Sequence, residues 1–478
     1  MHPGKRVLAP APEAARCTHS PCANKKYSEE NRPDADGPGP LPAPASANLV
    51  EKKAGAATVA RSRRAGCLPM TSRERVLMAL SHRQPDRIPV DLSGHRSSGI
   101  AAMAYRRLRQ HLGLEDRPIR VYDPVQQLAI VDEDVLQRFG VDTIELGRAF
   151  ALEDKWWTEW VLPDGSPCLM PVWAKPERGE GEWILRSPGT GRVMARMPPG
   201  VLFFEQACFP FAEHDDLDRI EEALGEVMWA AAASPPGPIA AGAEGTRRLA
   251  EGAQRLRRQS DRAIIGLFGG NLLELGQFLY RNDNFFLLLA GEPERAHAFL
   301  DRLMRLHLAN LERFLGAVGP HLDVILFGDD LGMQSGPQIS PAMYREFFQP
   351  RQRQLWSRVR ALAPHLRIML HCCGGVQELL PGLIEAGLEA INPVQITCRG
   401  MEPAGLKRDF GGRLTFWGGG CDTREMITQG TPAQVRDQVR RLMEVWRPGG
   451  GYIFQQVHNL MADVPPANIV AMFDAVNA

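Results

Sequence analysis

Net charge is what this chain most plainly lacks. Its 478 residues carry 56 Lys and Arg against 56 Asp and Glu, so nothing electrostatic speaks for nucleic acid or an anionic membrane surface. Long apolar runs are missing too. No stretch reaches the roughly 18 residues that read as a membrane-spanning helix, and none near Met1 reads as a secretory h-region. Cysteine is sparse: nine residues, irregularly spaced in a long chain, are not a disulfide framework. These absences predict a cytoplasmic protein whose thiols are free or metal-bound. Phosphate-binding signatures are also absent. No GxGxxG follows a strand, and no GxxxxGK precedes Ser or Thr, which weakens nucleotide-binding readings.

What is present is apolar content, 44% of residues, ample for one large core or two. Residues 1 to about 69 stand apart. They read as Pro/Ala/Gly with scattered charges, as in GPGPLPAPASANL, with no helical or strand period. That composition predicts a disordered N-terminal extension. Cys17 and Cys22 flank His19 there, but chance in a biased segment outweighs a metal clip. Glu29 and Asp34 argue against a transit peptide. The folded pattern opens at Met70, which is favoured as the biological start. Thr71 can cap a helix, Glu74 follows as in a capping box, and Val76, Leu77 and Leu80 share one face.

From there short apolar segments alternate with helical pattern. The strand candidates are Arg87–Leu92, Val141–Leu146, Ile264–Phe268, Val324–Phe327, Ile368–Leu370, Ala390–Asn392, Leu414–Trp417 and Tyr452–Phe454. Strands apolar on both faces suit a parallel sheet covered on both sides. The helices between them are amphipathic. Thr431 caps, Pro432 opens, and Val435, Val439, Leu442, Met443 and Trp446 form one stripe before Gly449. Eight βα units without a dinucleotide fingerprint favour an α/β chain closed as a (β/α)8 TIM barrel spanning 70–478. Between about 150 and 200 the pattern turns to β segments separated by Pro-Asp-Gly, Gly-Glu-Gly and Gly-Thr-Gly. This predicts a small β-rich insertion, in which Trp156, Trp157 and Trp160 read as packing. The Pro/Gly/Ala-rich piece from Ser234 to about Gly245 reads as a surface loop.

Barrel active sites sit where strands end, and polar residues gather there. The first strand end gives Asp91, then His95 and Arg96, which either hold a substrate anion or form an ordinary loop. The fourth gives Asp329 and Asp330, a general acid/base pair, a polar-substrate site or a helix cap. The fifth gives His371, Cys372, Cys373 and Gly374. The sixth gives Asn392 and Gln395, the seventh Cys421 and Asp422, and the eighth Gln455, Gln456, His458 and Asn459. His371 and Cys373 are two apart in extended chain, so their side chains point to one side. Imidazole with thiolate is a zinc-type donor pair. A third ligand must come from another strand end, and His458 and Cys421 are the candidates. An open fourth position marks a catalytic site. The competing reading makes Cys372 and Cys373 buried small hydrophobes, with His371 bonded to a backbone carbonyl.

Several of these segments resemble the uroporphyrinogen decarboxylase superfamily. They are Thr71–Val76, Pro85–Val90, Gly328–Gly332, His371-x-Cys373-Gly374, Asn392–Gln395, Phe416–Gly419 with Asp422-Thr423, and Gly449–Ile453 through His458-Asn459 to Ile469. The resemblance covers about 71 to 478, is strongest after 320, and implies a (β/α)8 barrel. It also implies one of two chemistries. The decarboxylases act on a tetrapyrrole in porphyrin biosynthesis without a cofactor. The methyltransferases move a methyl group to or from a corrinoid protein, using zinc held by an HxC pair and a later Cys. The decarboxylases carry Arg-Gln-Ala-Gly-Arg after the first strand, where this chain reads Gly94-His95-Arg96-Ser97-Ser98-Gly99. One arginine serves a polycarboxylate poorly. The HxC pair is present, which favours a zinc methyltransferase acting with a corrinoid protein. The later Cys is replaced by Val457-His458-Asn459, so His458 or Cys421 must complete the site. Asn392 and Gln395 join His95 and Arg96 as candidate substrate contacts. A non-catalytic ligand-binding relative is the remaining alternative, and family precedent suggests a homodimer.

Overall fold

The computed structural model describes residues 70–149, 153–232 and 242–478. The extension expected over 1–69, with Cys17, His19 and Cys22, lies outside the described residues, as does most of the loop expected near 234–245. The centre is a curled, seven-stranded parallel sheet: β1 Thr143–Glu145, β2 Ala263–Gly269, β3 Val324–Gly328, β4 Arg367–His371, β5 Ala390–Asn392, β6 Thr415–Trp417 and β7 Tyr452–Ile453. Strands adjacent in this order are adjacent in the sheet, and every pair is parallel. Helices fill the crossovers, as a parallel pair requires.

The segment expected as the first strand, Arg87–Leu92, is reduced to one parallel bridge between Val90 and Phe454. Asp91 N donates to the Phe454 carbonyl at 2.8 Å, and on the other side Asp142 N donates to the Val90 carbonyl at 2.8 Å. The reason the ladder stops is local. The buried Asp142 carboxylate takes Val90 N at 2.9 Å and the Arg87 guanidinium at 2.6 Å. A ladder donor is spent on a side chain.

Strand residues alternate between two cores, because successive side chains leave opposite faces. Ile265, Leu326, Met369, Trp417 and Ile453 form the inner cluster, which Val76, Ala79 and Leu80 of the helix Ser72–Leu80 complete. That helix opens with the expected capping box: Thr71 N donates to Glu74 Oε2 at 2.8 Å and Glu74 N to Thr71 Oγ1 at 3.2 Å. Ile264, Ile325, Ile368, Leu370 and Phe416 pack outward against the helices.

Two four-stranded sheets account for the β pattern. One holds Ile119–Asp123, Leu128–Ala129, Trp157–Val161 and Pro167–Pro171; the other holds Glu177–Arg178, Trp183–Arg186, Val193–Met197 and Glu205–Gln206. Ile119–Asp123 and Leu128–Ala129 are strands that the sequence pattern does not predict. Trp160 packs on Trp183 with ring centroids 4.8 Å apart, and Trp156 on Trp173 at 6.1 Å. Among the described residues no helix is long and apolar enough to cross a membrane.

Candidate metal centre and active site

β4 delivers His371 to the rim, and its neighbours pin it on both sides. Asp329 N, just past β3, donates to the His371 carbonyl at 2.9 Å, and Cys372 N donates to the Asn392 carbonyl of β5 at 2.7 Å. Beyond the strand the backbone donors find side chains instead. Cys373 N donates to Asp330 Oδ1 at 2.7 Å, and Gly374 N donates to Gln395 Oε1 at 2.5 Å. Gly374 sits at φ +89°, where a Cβ would lie 2.2 Å from the Gly332 carbonyl carbon. Only glycine fits that turn.

The turn leaves Cys373 Sγ 3.4 Å from His371 Nε2. From beyond β7, His458 sets its ring edge-on to His371 with centroids 5.7 Å apart. The donor atoms of His371, Cys373 and His458 all lie within 4.8 Å of one another. Cys421, the other candidate third ligand, is not part of this group. Its buried thiol lies 3.8 Å from the Asp422 carbonyl, and burial pushes it up. Cys372 points elsewhere as well, accepting Leu331 N at 3.3 Å. Burial pushes the imidazole of His371 down, and that of His458 down to about 3. Both rings are therefore neutral near pH 7, the form in which imidazole binds a metal.

Two carboxylates from β3 behave differently. Asp329 is buried and accepts Glu274 N at 3.0 Å and Leu273 N at 3.2 Å. It thus serves the first turn of the helix Leu273–Tyr280, and burial holds its carboxyl up to about 7. Asp330 faces the trio, with Oδ1 3.6 Å from His371 Nε2. Glu274, half-buried, completes an acidic group. Burial, then the charges of Asp330 and Asp329, push its carboxyl well up, while Asn271 Nδ2 donates to it at 2.7 Å. No motif in the sequence marks Glu274.

Beneath the trio lies a polar floor. Asp91 is fully buried and accepts from Thr143 Oγ1 at 2.7 Å, Gly94 N at 2.9 Å, Ser98 Oγ at 3.1 Å and Trp417 Nε1 at 2.8 Å. His95 Nε2 lies 3.2 Å from Asp91 Oδ2 and 3.1 Å from Gln455 Oε1. The four residues expected to touch substrate are all engaged by the protein. His95 is buried in this floor, Arg96 Nε is 3.2 Å from Asp123 Oδ2, Asn392 meets His371 at 2.8 Å, and Gln395 holds Gly374.

A family model described as uroporphyrinogen decarboxylase (URO-D) matches residues 234–478, which include β2 to β7 and all three of His371, Cys373 and His458. The chain belongs to the uroporphyrinogen decarboxylase family. The uroporphyrinogen decarboxylase of Legionella pneumophila (strain Lens) is 25% identical over 190 residues, 40% of this chain and 50% of that protein. That of Pseudomonas aeruginosa (strain LESB58) is 24% identical over 194 residues, with the same coverage of 40% and 50%. The match thus spans about half the length of these curated relatives. Among solved structures, a methyltransferase from Methanosarcina mazei superposes with a TM-score of 0.51 at 16% identity, covering 85% of this chain and 98% of that one. That likeness concerns the fold.

Proposed function

We propose that this family member is a zinc-dependent methyltransferase exchanging a methyl group with a corrinoid carried on a partner protein. We read its curled sheet, with the Val90 segment between the two edge strands, as a (β/α)8 barrel. The observation that carries the functional reading is the convergence of His371, Cys373 and His458 from two strand ends. The donor set fits zinc. It offers one soft sulfur and two imidazoles that burial keeps neutral, with donor atoms within 4.8 Å of one another, the donor types that zinc takes. Three protein ligands leave the fourth position open. Bound there, zinc supplies Lewis acidity, lowering the pKa of a coordinated thiol or polarising the heteroatom of a methyl donor.

The chain's own residues do the rest. Asp330 stands beside the trio and receives the proton that an acceptor thiol gives up. Asp330 and Gln395 hold the Cys373–Gly374 turn by its two N–H groups, so the thiolate stays aimed. The methyl carbon leaves one atom as it joins the other, and the electron pair of the broken bond stays with the leaving atom. A reducing cytoplasm suits this thiolate chemistry.

The curated relatives favour a second reading, cofactor-free decarboxylation of a tetrapyrrole. Against it stands the anion-binding capacity at the first strand end: one arginine, Arg96, already beside Asp123. The test is purification, metal analysis and incubation with methylcobalamin and a small thiol. Stoichiometric zinc with methyl transfer that Cys373→Ala abolishes supports the proposal. A metal-free protein that converts uroporphyrinogen to coproporphyrinogen overturns it. A protein with neither activity that binds a small ligand is a non-catalytic relative.

A further inference from the structure

An imidazole can present either nitrogen to a metal, and the surrounding hydrogen bonds choose which. His371 Nδ1 lies 2.8 Å from Asn392 Oδ1. An amide oxygen carries no proton, so this contact is a hydrogen bond only when Nδ1 holds one. Ser97 Oγ is also 2.8 Å from Nδ1, but a hydroxyl can donate or accept and so does not decide. The orientation of the Asn392 amide does.

That orientation is imposed from two sides. Asn392 Nδ2 donates to the Trp417 carbonyl at 2.9 Å and to Gln455 Oε1 at 2.8 Å. Gln455 is fixed in turn, because its Nε2 donates to the Ser97 carbonyl at 2.9 Å. Its Oε1 therefore faces inward and accepts from both Asn392 Nδ2 and His95 Nε2. The chain of choices starts at two backbone carbonyls, those of Ser97 and Trp417, which cannot exchange donor for acceptor. Asn392, Gln455 and His95 have no exposed surface, so bulk water cannot take over either role. A flipped Gln455 would aim an amide N–H at Asn392 Nδ2 and set two donors against each other.

We infer that Gln455 is a positioning residue of the metal centre: through Asn392 it selects the Nδ1–H tautomer of His371. The lone pair is then on Nε2, the nitrogen that lies 3.4 Å from Cys373 Sγ. This inference rests on the metal reading above for its purpose, but not for its geometry. The side chain of Gln455 bonds to Asn392, His95 and the Ser97 carbonyl rather than to the His371 ring. Its effect is transmitted by one amide.

The experiment is a long-range 1H–15N correlation of the histidine side chains in the metal-free protein, with His371 assigned from the spectrum of His371→Gln. The Nδ1–H tautomer is expected in the wild type. Gln455→Leu leaves the Asn392 amide held by the Trp417 carbonyl alone, is expected to shift part of the His371 population towards Nε2–H, and weakens zinc in chelator competition by about 10-fold. Adding Asn392→Asp to that variant restores an obligate acceptor at Nδ1, and with it the tautomer and most of the affinity. A purely structural role for Gln455 would not be rescued there. If Gln455→Leu does not fold, the wild-type spectrum and Asn392→Asp alone, expected to keep Nδ1–H, still decide. An Nε2–H tautomer in the wild type overturns the inference, as does an unchanged spectrum in folded Gln455→Leu. A protein that shows the expected tautomers but binds no zinc upholds the relay and sinks the metalloenzyme reading.

Discussion

Asp330 Oδ1 accepts the backbone N–H of Cys373 at 2.7 Å while standing 3.6 Å from His371 Nε2. One carboxylate oxygen thus touches the surroundings of both proposed ligands on the β4 rim. Asp330→Asn keeps an acceptor of the same shape for Cys373 N, so the turn should survive and zinc should stay bound. Loss of the proton acceptor should lower methyl-transfer turnover by about 100-fold. Steady-state kinetics on the zinc-replete variant check this, and unchanged turnover would remove Asp330 from the reaction.

Replacing His371, Cys373 or His458 by Ala should each reduce zinc from about one per chain to a trace after dialysis, because three protein donors are the minimum for a tight site. Cys421→Ala should keep the metal, since its thiol lies outside the trio. Elemental analysis of the four proteins separates the cases. Zinc lost on Cys421→Ala and kept on His458→Ala would reassign the third ligand.

Gly374→Ala should be costly out of proportion to one methyl group. The residue combines a left-handed φ of +89° with a Cβ position 2.2 Å from the Gly332 carbonyl carbon. Backbone strain and overlap together should remove more than about 2 kcal/mol of stability. Zinc affinity should fall with it, because the same turn sets Cys373. Chemical denaturation and chelator titration report the two losses separately.

Acid should weaken the fold through His307, which is not one of the proposed ligands. Its ring is buried, its Nε2 contacts the Asn271 carbonyl at 2.9 Å, and burial pushes its pKa down to about 4. An unfolded histidine titrates near 6.5. Between those values the unfolded chain binds the extra proton, so stability rises with pH across about 4 to 6.5 and falls as acid is added. The contribution is on the order of 3 kcal/mol. His307→Phe should flatten that part of the stability curve, measured as melting temperature against pH; an unaltered slope would assign the acid sensitivity elsewhere.

Much of this architecture is legible in the sequence, and the reasons are physical. The strands from Ala263 to Ile453 are short and apolar on both faces because each feeds two cores. The spacing of His371 and Cys373 puts their side chains on one side whatever the rest of the fold does. The capping box at Thr71 is local and needs no partner. The failures are equally specific. Arg87–Leu92 has a strand's composition, but Asp142 removes one of its ladder donors. Glu274 lies on a helix with no motif around it. The Gln455–Asn392–His371 relay joins residues 63 and 21 positions apart; no periodicity encodes it. Sequence leaves the choice between His458 and Cys421 open for the same reason, because only folding decides which strand end reaches which.

The polar floor has a consequence for how the molecule is made. His95 and Gln455 are separated by 360 residues, Gly99 and Asn459 by the same span, and Asp91 and Trp417 by 326. Contacts of such high order form late, because the loop they close must be gathered first. A nascent chain that has emerged only as far as Cys373 holds two of the proposed ligands, with Asp330, but lacks Asn392, Gln395 and Gln455, which complete their positioning. Metal offered at that stage would meet an imidazole of undecided tautomer and a thiol whose turn is held by Asp330 without Gln395. The proposed site and its scaffold are thus completed together, when the last strand docks.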